Sequence, residues 1–299
     1  MTKTIRRLHP DDHTLYTAMD TGLERDYVGR VFQNLTSGDN FLYGLFIDGQ
    51  LASVGGYTRF NEHYAMLGRL RSDRRFRGQD LATELMAHVV HEILHDEQIQ
   101  WIGANTQEDN LPARRVLEKL GFPSLISLHG AITKDVSMLE SDAPLWSPLT
   151  GMARKKAWLK EMFIAGKEIF PYECYYPFPA SEQLFKEEEI KDWMFYENDA
   201  KTRCLIMKPD RKKHHYLHVI YPWSDFTGQK GLWETVAKNY HELAARYDEE
   251  TYIWKDFTKE EASLLPDGHA FKLPSPWMLH GKKTAEWQTI AQVVSGSTE

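Results

Sequence analysis

Along the first 150 residues the apolar positions switch repeatedly between a two-residue and a 3.6-residue period, which predicts strands alternating with helices. Residues 4–8 read as a short strand stopped by Pro10, and Asp11 or Asp12 as the cap of a helix running to about Gly22. A second helical pattern covers 27–35 and ends in the turn-rich stretch 36–40. Two apolar runs, 41–47 and 50–57, flank Asp48-Gly49. Glycine accepts positive φ there, so the pair reads as a hairpin turn. An extended segment at 64–72, a helix at 80–96, a strand at 99–104 and a helix at 111–120 closed by Gly121 follow. Strands alternating with helices after a hairpin predict an α/β domain: a mixed sheet flanked by helices.

The second half reads similarly. A helical pattern at 153–170 and an acidic helix at 181–190 precede three extended runs, at 193–197, 202–207 and 216–221. A helix at 231–247, a strand at 252–257, a short helix at 259–265 and a final strand at 271–279 complete it. This order repeats that of the first half, without a repeat of residues. Between the halves, the proline-bearing stretch 141–151 reads as a linker. Arginines concentrate before it, and lysines and tryptophans after it. Two domains are expected, 1–145 and 150–299.

The 299 residues suffice for one large domain or two ordinary ones, and 42% hydrophobic with 26% charged residues excludes wholesale disorder. A net charge of −7 lacks the basic footprint of nucleic-acid or anionic-membrane binding, so neither is expected as a partner. No run of about 18 apolar residues suits a membrane span, and the N-terminal segment lacks the apolar core of a secretion signal. A cytoplasmic protein is expected. Cys174 and Cys204 are too few for a disulfide framework and lie in no Cys-x-x-Cys pair, so both read as inert thiols.

The chemistry is concentrated at the end of the 64–72 strand, where Leu70, Arg71 and Ser72 lead through an arginine-rich turn into Arg77, Gly78, Gln79, Asp80, Leu81, Ala82 and Thr83 at a helix start. A helix N-terminus presents backbone N–H groups and the positive end of the helix dipole, which together suit a phosphate. Arg77 adds charge and Thr83 a hydroxyl. A second segment runs from Asn110 through Ala113, Arg114 and Leu117 to Gly121-Phe122. Together the two segments resemble the GNAT N-acetyltransferase superfamily over about residues 4–135. Its loop pattern, Arg/Gln-x-x-Gly-x-Gly/Ala, maps onto residues 77–82, and its later Asn-x-x-Ala-x-x-x-Tyr-x-x-x-Gly-Phe onto Asn110, Ala113, Leu117, Gly121 and Phe122.

The resemblance implies acetyl-CoA as acyl donor, its pyrophosphate on the amides of residues 77–82 and its pantetheine beside Leu70–Ser72. Asn105, Asn110, Ala113 and Arg114 complete the expected cofactor contacts. The sequence departs from the pattern twice. Asp80 stands where relatives carry the second glycine; an Asp at that point suits the cap of the helix it begins. Leu117 replaces the tyrosine that in many relatives protonates the departing thiolate.

Direct attack by a neutral amine needs a base for its proton and N–H support for the carbonyl oxygen. Glu62 and His63 are the candidate bases and Tyr64 a candidate donor, and each also reads as an ordinary residue of a solvated turn. The expected activity is N-acetylation of a small-molecule amine or amino acid. Two-part relatives that acetylate free amino acids share the Leu70-Arg71 start. The competing reading is a non-catalytic acyl-CoA-binding regulatory module. The second domain resembles a degenerate GNAT-like repeat: Gly228-Gln229-Lys230-Gly231 precedes its long helix without the Arg-x-x-Gly-x-Ala frame. It is expected to bind no CoA and to close the substrate cleft, in a monomer or homodimer.

His91-Glu92-Ile93-Leu94-His95 matches the His-Glu-x-x-His zinc pattern. However, Ala82, Leu85, Met86, Val89 and Ile93 form the apolar face of that helix and turn the histidines to solvent. His214, His215 and His218 read as a solvated hairpin end. No metal is expected.

Overall fold

In the computed structural model, which describes residues 2–24 and 26–287, the chain divides into two units. The first comprises Met1–Leu125 and Leu279–Glu299, the second Ile126–Met278.

In the first unit, β1 (Lys3–Arg7), β2 (Asn40–Ile47), β3 (Gln50–Phe60), β4 (Tyr64–Ser72) and β5 (Trp101–Gln107) lie side by side in that order. Neighbours are antiparallel as far as β4, and β4 and β5 are parallel. The β2–β3 turn forms at Asp48 (φ 46°) and Gly49 (φ 81°), the double positive φ that a two-residue hairpin needs. The apolar run of β2 is continuous because both of its faces are covered. Tyr43, Leu45 and Ile47 pack with Leu85, Met86, Val89 and Ile93 of a long helix. The alternate residues Leu42 and Phe46 pack with Tyr16, Val28, Phe32 and Leu35 from three short ones.

Those short helices are α1 (His13–Thr17), α2 (Tyr27–Arg30) and α3 (Phe32–Leu35); the long one is α4 (Leu81–Leu94), and α5 (Leu111–Lys119) follows β5. The helix expected to reach Gly22 stops at Thr17, because the next residues are drawn into tertiary bonds with the turn after β4. The helix expected at 27–35 breaks at Val31 (φ −114°). Gly29 and a β-branched residue in close succession weaken a helix there.

The second unit contains β6 (Ser124–Thr133, entering at the boundary), β7 (Ser147–Leu149), β8 (Ile169–Glu173), β9 (Tyr176–Pro179), β10 (Met194–Glu197), β11 (Cys204–Arg211), β12 (His215–Ile220) and β13 (Thr251–Phe257). Its helices are α6 (Met152–Leu159), α7 (Glu187–Ile190), α8 (Leu232–Ala244) and α9 (Lys259–Ala262). The sheet order is β7-β10-β11-β12-β13-β6, antiparallel except for the parallel pair β12–β13; β8 and β9 form a separate hairpin. Trp233, Val236, Tyr240 and Leu243 of α8 bury against Leu205, Met207, Leu217, Val219, Ile253 and Phe257. The strand pattern of the first unit, antiparallel neighbours followed by one parallel pair, thus recurs.

The last strand, β14 (Trp277–Lys283), joins the first unit from Leu279 onward and is the neighbour of β5. The bounds of the units are not those of the expected domains 1–145 and 150–299: residues 126–145, with most of β6, belong to the second unit, and β14 from Leu279 onward to the first. Strands are placed by their pairing partners, which chain order does not reveal. The expected linker is also part of the second unit. Trp146 is buried, and Ser147–Leu149 pairs with β10 at the sheet edge, where Pro148 is tolerated. The helix expected at 153–170 gives way to a π turn (Lys160–Ile164) and then to β8. Residues 288–299 of the expected second domain lie outside the described residues.

Candidate functional site

The parallel ladder between β4 and β5 runs only from Tyr64↔Trp101 to Leu67↔Ala104. Beyond it β4 continues to Ser72 with a changed course. Arg69 adopts φ 59°, and the register with β3 slips between Val54 and Gly56. A bulge of this kind adds a residue, bends the strand and turns its edge away from its neighbour. The two strands diverge from Gly68 and Asn105 onward, and the β5-facing backbone of residues 68–72 leaves that ladder. Backbone amides and carbonyls at such a gap suit an extended, amide-bearing ligand arm. At about 3.3 Å per residue, Gly68 to Ser72 spans roughly 13 Å.

That gap leads to the N-terminus of α4. Gly78 takes φ 80° and Asp80 φ 59°, both in the left-handed region. This explains the second glycine of the family pattern: position 80 is left-handed, and Asp is among the few other residues that enter that region readily. The expectation that Asp80 caps α4 is corrected. Its side chain makes no capping bond; it accepts instead from the Thr83 hydroxyl (2.7 Å) and the Lys119 ammonium of α5 (2.7 Å). The amides of Leu81, Ala82 and Thr83 have no intrahelical acceptor by their position in the first turn. Lys119, hydrogen-bonded to Asp80, holds its carboxyl below the usual carboxylate range, and Thr83 assists. The negative charge at the loop is thus partnered by a cation from the neighbouring helix. Lys119 was missed in the sequence because its partner lies in another element.

The turn between β4 and α4 is anchored by Asp73, which is fully buried. Its carboxylate accepts from the amides of Asp20 (3.0 Å) and Arg75 (2.9 Å) and pairs with the Arg75 guanidinium (2.6 Å). Three loop arginines brace the segment after α1: Arg74 bonds the Gly22 carbonyl, Arg75 that of Ala18 and Arg77 that of Thr21. The Arg75 hydrogen bond, acting against burial, lowers the Asp73 carboxyl to about 2. A group depressed in the folded state stabilises above its ordinary value near 4, and that contribution fades as pH falls toward 2. Asp73→Asn should therefore lower stability at pH 7 by about 2 kcal/mol and flatten its decline between pH 4 and 2, as read by urea unfolding at several pH values.

Arg71 keeps its backbone on the edge of residues 68–72, while its side chain is committed elsewhere. Its guanidinium donates twice to Asp26 (2.9 Å each), which also accepts from the Tyr16 hydroxyl. Arg71 thus ties the α1–α2 segment to the end of β4. Leu70 packs on the α4 core, and its carbonyl accepts from Arg71; the Ser72 hydroxyl lies 3.4 Å from that of Ser53. Gln79 is exposed, and the Leu81 side chain is in the core, leaving its amide as the group toward a ligand. Asn110 caps α5 through the Ala113 amide and donates to Thr106; Arg114 turns back to the Glu108 carbonyl. Asn105 stands on β5 one residue beyond the last β4 pair. Leu117 is buried in the α4 core.

Glu62, His63 and Tyr64 sit at the opposite end of β4, where it is still paired. Glu62 is in the turn at φ 64°, the His63 ring bonds the Gln98 carbonyl (2.9 Å), and Tyr64 is buried beside Trp101. Four to six residues separate them from Gly68, or roughly 13–20 Å along the strand. The structure does not bring them to the gap. The strand residues flanking it are Gly68, Arg69, Asn105 and Thr106. His91, Glu92 and His95 are exposed on α4, as the helical pattern predicts, with ligand atoms within 4.8 Å of one another.

The acetyltransferase (GNAT) family model matches residues 4–122. Over those residues, about two fifths of its length, the chain is similar to the GNAT acetyltransferase family. Among solved structures, a GCN5-related N-acetyltransferase from Sphaerobacter thermophilus aligns over 94% of this chain and 96% of its own, with TM-score 0.56 and 15% identity. A presumptive acetyltransferase from Thermoplasma acidophilum aligns over 94% and 99%, with TM-score 0.54 and 16% identity. At such identities the likeness concerns the fold, and it extends beyond residues 4–122 to most of the chain. Among curated proteins nothing matches. The family commonly uses acyl-CoA, and the gap, the bulge and the amides of residues 78–83 fit such a group.

In the second unit the start of the long helix is packed over. Gly231 precedes α8 at φ 79°, as Asp80 precedes α4, yet a Cβ there would lie 2.2 Å from the Pro144 carbonyl oxygen and 3.0 Å from Trp146. The expected linker covers this helix start. Trp146 donates its indole N–H to the Lys230 carbonyl and its amide to Thr235, while Ser141 and Ala143 donate to Glu234 in the first turn. Trp146→Ala should cost about 3–5 kcal/mol of stability, measurable by thermal unfolding.

Proposed function

We propose that the GNAT domain transfers an acetyl group from acetyl-CoA to the amine of a small molecule or amino acid, and that the second unit binds no CoA. The observation that carries this reading is the divergence of β4 and β5 toward the helix start at residues 78–83. A thioester supplies an activated carbonyl: the amine nitrogen bonds to its carbon, the carbon–sulfur bond breaks, and the amine proton leaves. The amides of residues 78–83 and the Arg77 guanidinium bind the pyrophosphate, and the exposed edge of residues 68–72 holds the pantetheine arm. Gly68 and Asn105 frame the place where the thioester meets the acceptor.

Gly68, Arg69, Asn105 and Thr106 carry neither carboxylate nor imidazole, so the proton passes to water. The rate should then rise with pH along the ionisation of the acceptor amine, with no plateau set by a protein base. The reading requires a compartment supplied with acetyl-CoA, the cytoplasm; among the described residues no helix is long and apolar enough to cross a membrane.

The specific alternative is a non-catalytic acyl-CoA-binding module, favoured by Leu117, whose buried side chain has no proton to give. Incubation with acetyl-CoA and a panel of amines and free amino acids, read by thiol release and product mass, separates the two. Acetylated product supports transfer. Saturable acetyl-CoA binding with no product across the panel contradicts it and leaves the module.

A further inference from the structure

The second unit buries a cluster that sequence spacing conceals. β8 and β9 are joined by Cys174-Tyr175, with Tyr175 at φ 73°. This tip rests on one face of the sheet: Tyr175 packs edge-on against Trp254 of β13, and Cys174 is fully buried beside Trp254 and Tyr216. Lys208 and Asp210 of β11 share that face with His218 and Tyr216 of β12, their register partners. The Cys174 sulfur, an Asp210 carboxylate oxygen and a ring nitrogen of His218 lie within 4.8 Å of one another.

His218 is fully buried, and its two nitrogens differ. Nε2 faces the Asp256 carboxylate at 3.1 Å, and Asp256 is held in turn by the Trp254 indole N–H (3.0 Å). Nδ1 is buried with no hydrogen-bond partner. A histidine with one nitrogen on a carboxylate and the other open is the arrangement in which imidazole ligates a metal, the carboxylate fixing tautomer and ring orientation. We propose that Cys174, Asp210 and His218 form a zinc site that pins the β8–β9 tip to the sheet, with Asp256 as the positioning residue for His218. Thiolate, imidazole and carboxylate are the donor types zinc takes, and three of them leave a fourth tetrahedral position for water.

The charges around the cluster agree with a dication. Asp210 and Glu173 face Lys212, which bonds Glu173 (2.6 Å) and approaches Asp210 (3.4 Å), and Lys208, which donates to the Tyr172 carbonyl, while Asp256 faces His218. Once Cys174 is a thiolate, the anionic groups exceed the cationic ones by two. Without metal, burial first and then Asp210 and Asp256 keep the thiol protonated. Metal binding thus releases that proton to solvent while the sulfur becomes a ligand. Zinc bonds of about 2.0–2.3 Å bring ligand atoms to roughly 3.3–3.8 Å from one another, so the tip closes slightly onto the ion.

The test is elemental analysis of untagged full-length protein, followed by replacement of zinc with cobalt and absorption spectroscopy. We expect one zinc per chain and a thiolate-to-cobalt charge-transfer band. Both should be lost in Cys174→Ser, and both kept in Cys204→Ser and in a His91→Ala/His95→Ala variant. The proposal is overturned if the wild-type protein takes up cobalt without the thiolate band or takes up none, outcomes read without any variant having to fold. It is equally overturned if the band survives in Cys174→Ser or disappears with His91 and His95.

Discussion

Gly68→Leu is expected to leave the fold intact and remove the activity. A Cβ at Gly68 meets no atom within 4 Å, so a side chain can leave the strand there without a clash at its first atom. Strand positions accept leucine better than glycine, and a substitution without steric conflict shifts stability by about 0.5 kcal/mol or less. For a chain of this size that is about 1 °C in the midpoint of thermal unfolding. The open space, however, lies at the first residue past the β4–β5 ladder, where the proposed function puts the thioester. Displacing the acyl group by an ångström or more should reduce transfer about 100-fold. Thermal unfolding and turnover measured on the same preparation check this. An unchanged rate would mean that the acyl group sits elsewhere.

Lys119→Ala should weaken acetyl-CoA binding roughly tenfold at low ionic strength and less at high salt. The loop carries a carboxylate at position 80, and Lys119 is the cation bonded to it. Without Lys119, Asp80 stands unopposed beside the pyrophosphate. Asp80→Gly in the same chain removes the repulsion and also suits the left-handed φ of that position. The double variant should therefore bind close to wild type, and Asp80→Gly alone at least as well. Equal weakening in the single and double variants would instead make Lys119 a direct phosphate contact.

These expectations draw unequally on sequence and structure. The β2–β3 hairpin, α4 and the turn that precedes it were legible because each rests on local rules: Asp-Gly turn chemistry, an apolar face at helical spacing, and glycine where φ turns positive. The strand exchange was not legible, since β6 and β14 are assigned by partners far away in the chain. Nor was the role of residues 141–151, whose proline-bearing composition reads as linker although Trp146 seals a helix start. In the candidate site, the backbone course before α4 followed from pattern, whereas side-chain partners did not. The Arg71 guanidinium is held by Asp26, and Asp80 was read as a cap and is held by Lys119. Which carboxylate a guanidinium or ammonium meets is a tertiary outcome. The same holds for Cys174, Asp210 and His218, residues of three separate elements whose spacing matches no metal motif.

The most direct test of the central claim is calorimetric titration of the cofactor-free protein with acetyl-CoA, run beside Arg77→Ala and Lys230→Ala. We expect one micromolar site per chain, weakened about tenfold by Arg77→Ala and unchanged by Lys230→Ala. That pattern would assign the donor to the loop before α4 and leave the helix start of the second unit silent. Absence of binding to the intact protein, or binding that depends on Lys230 and not on Arg77, would contradict the account.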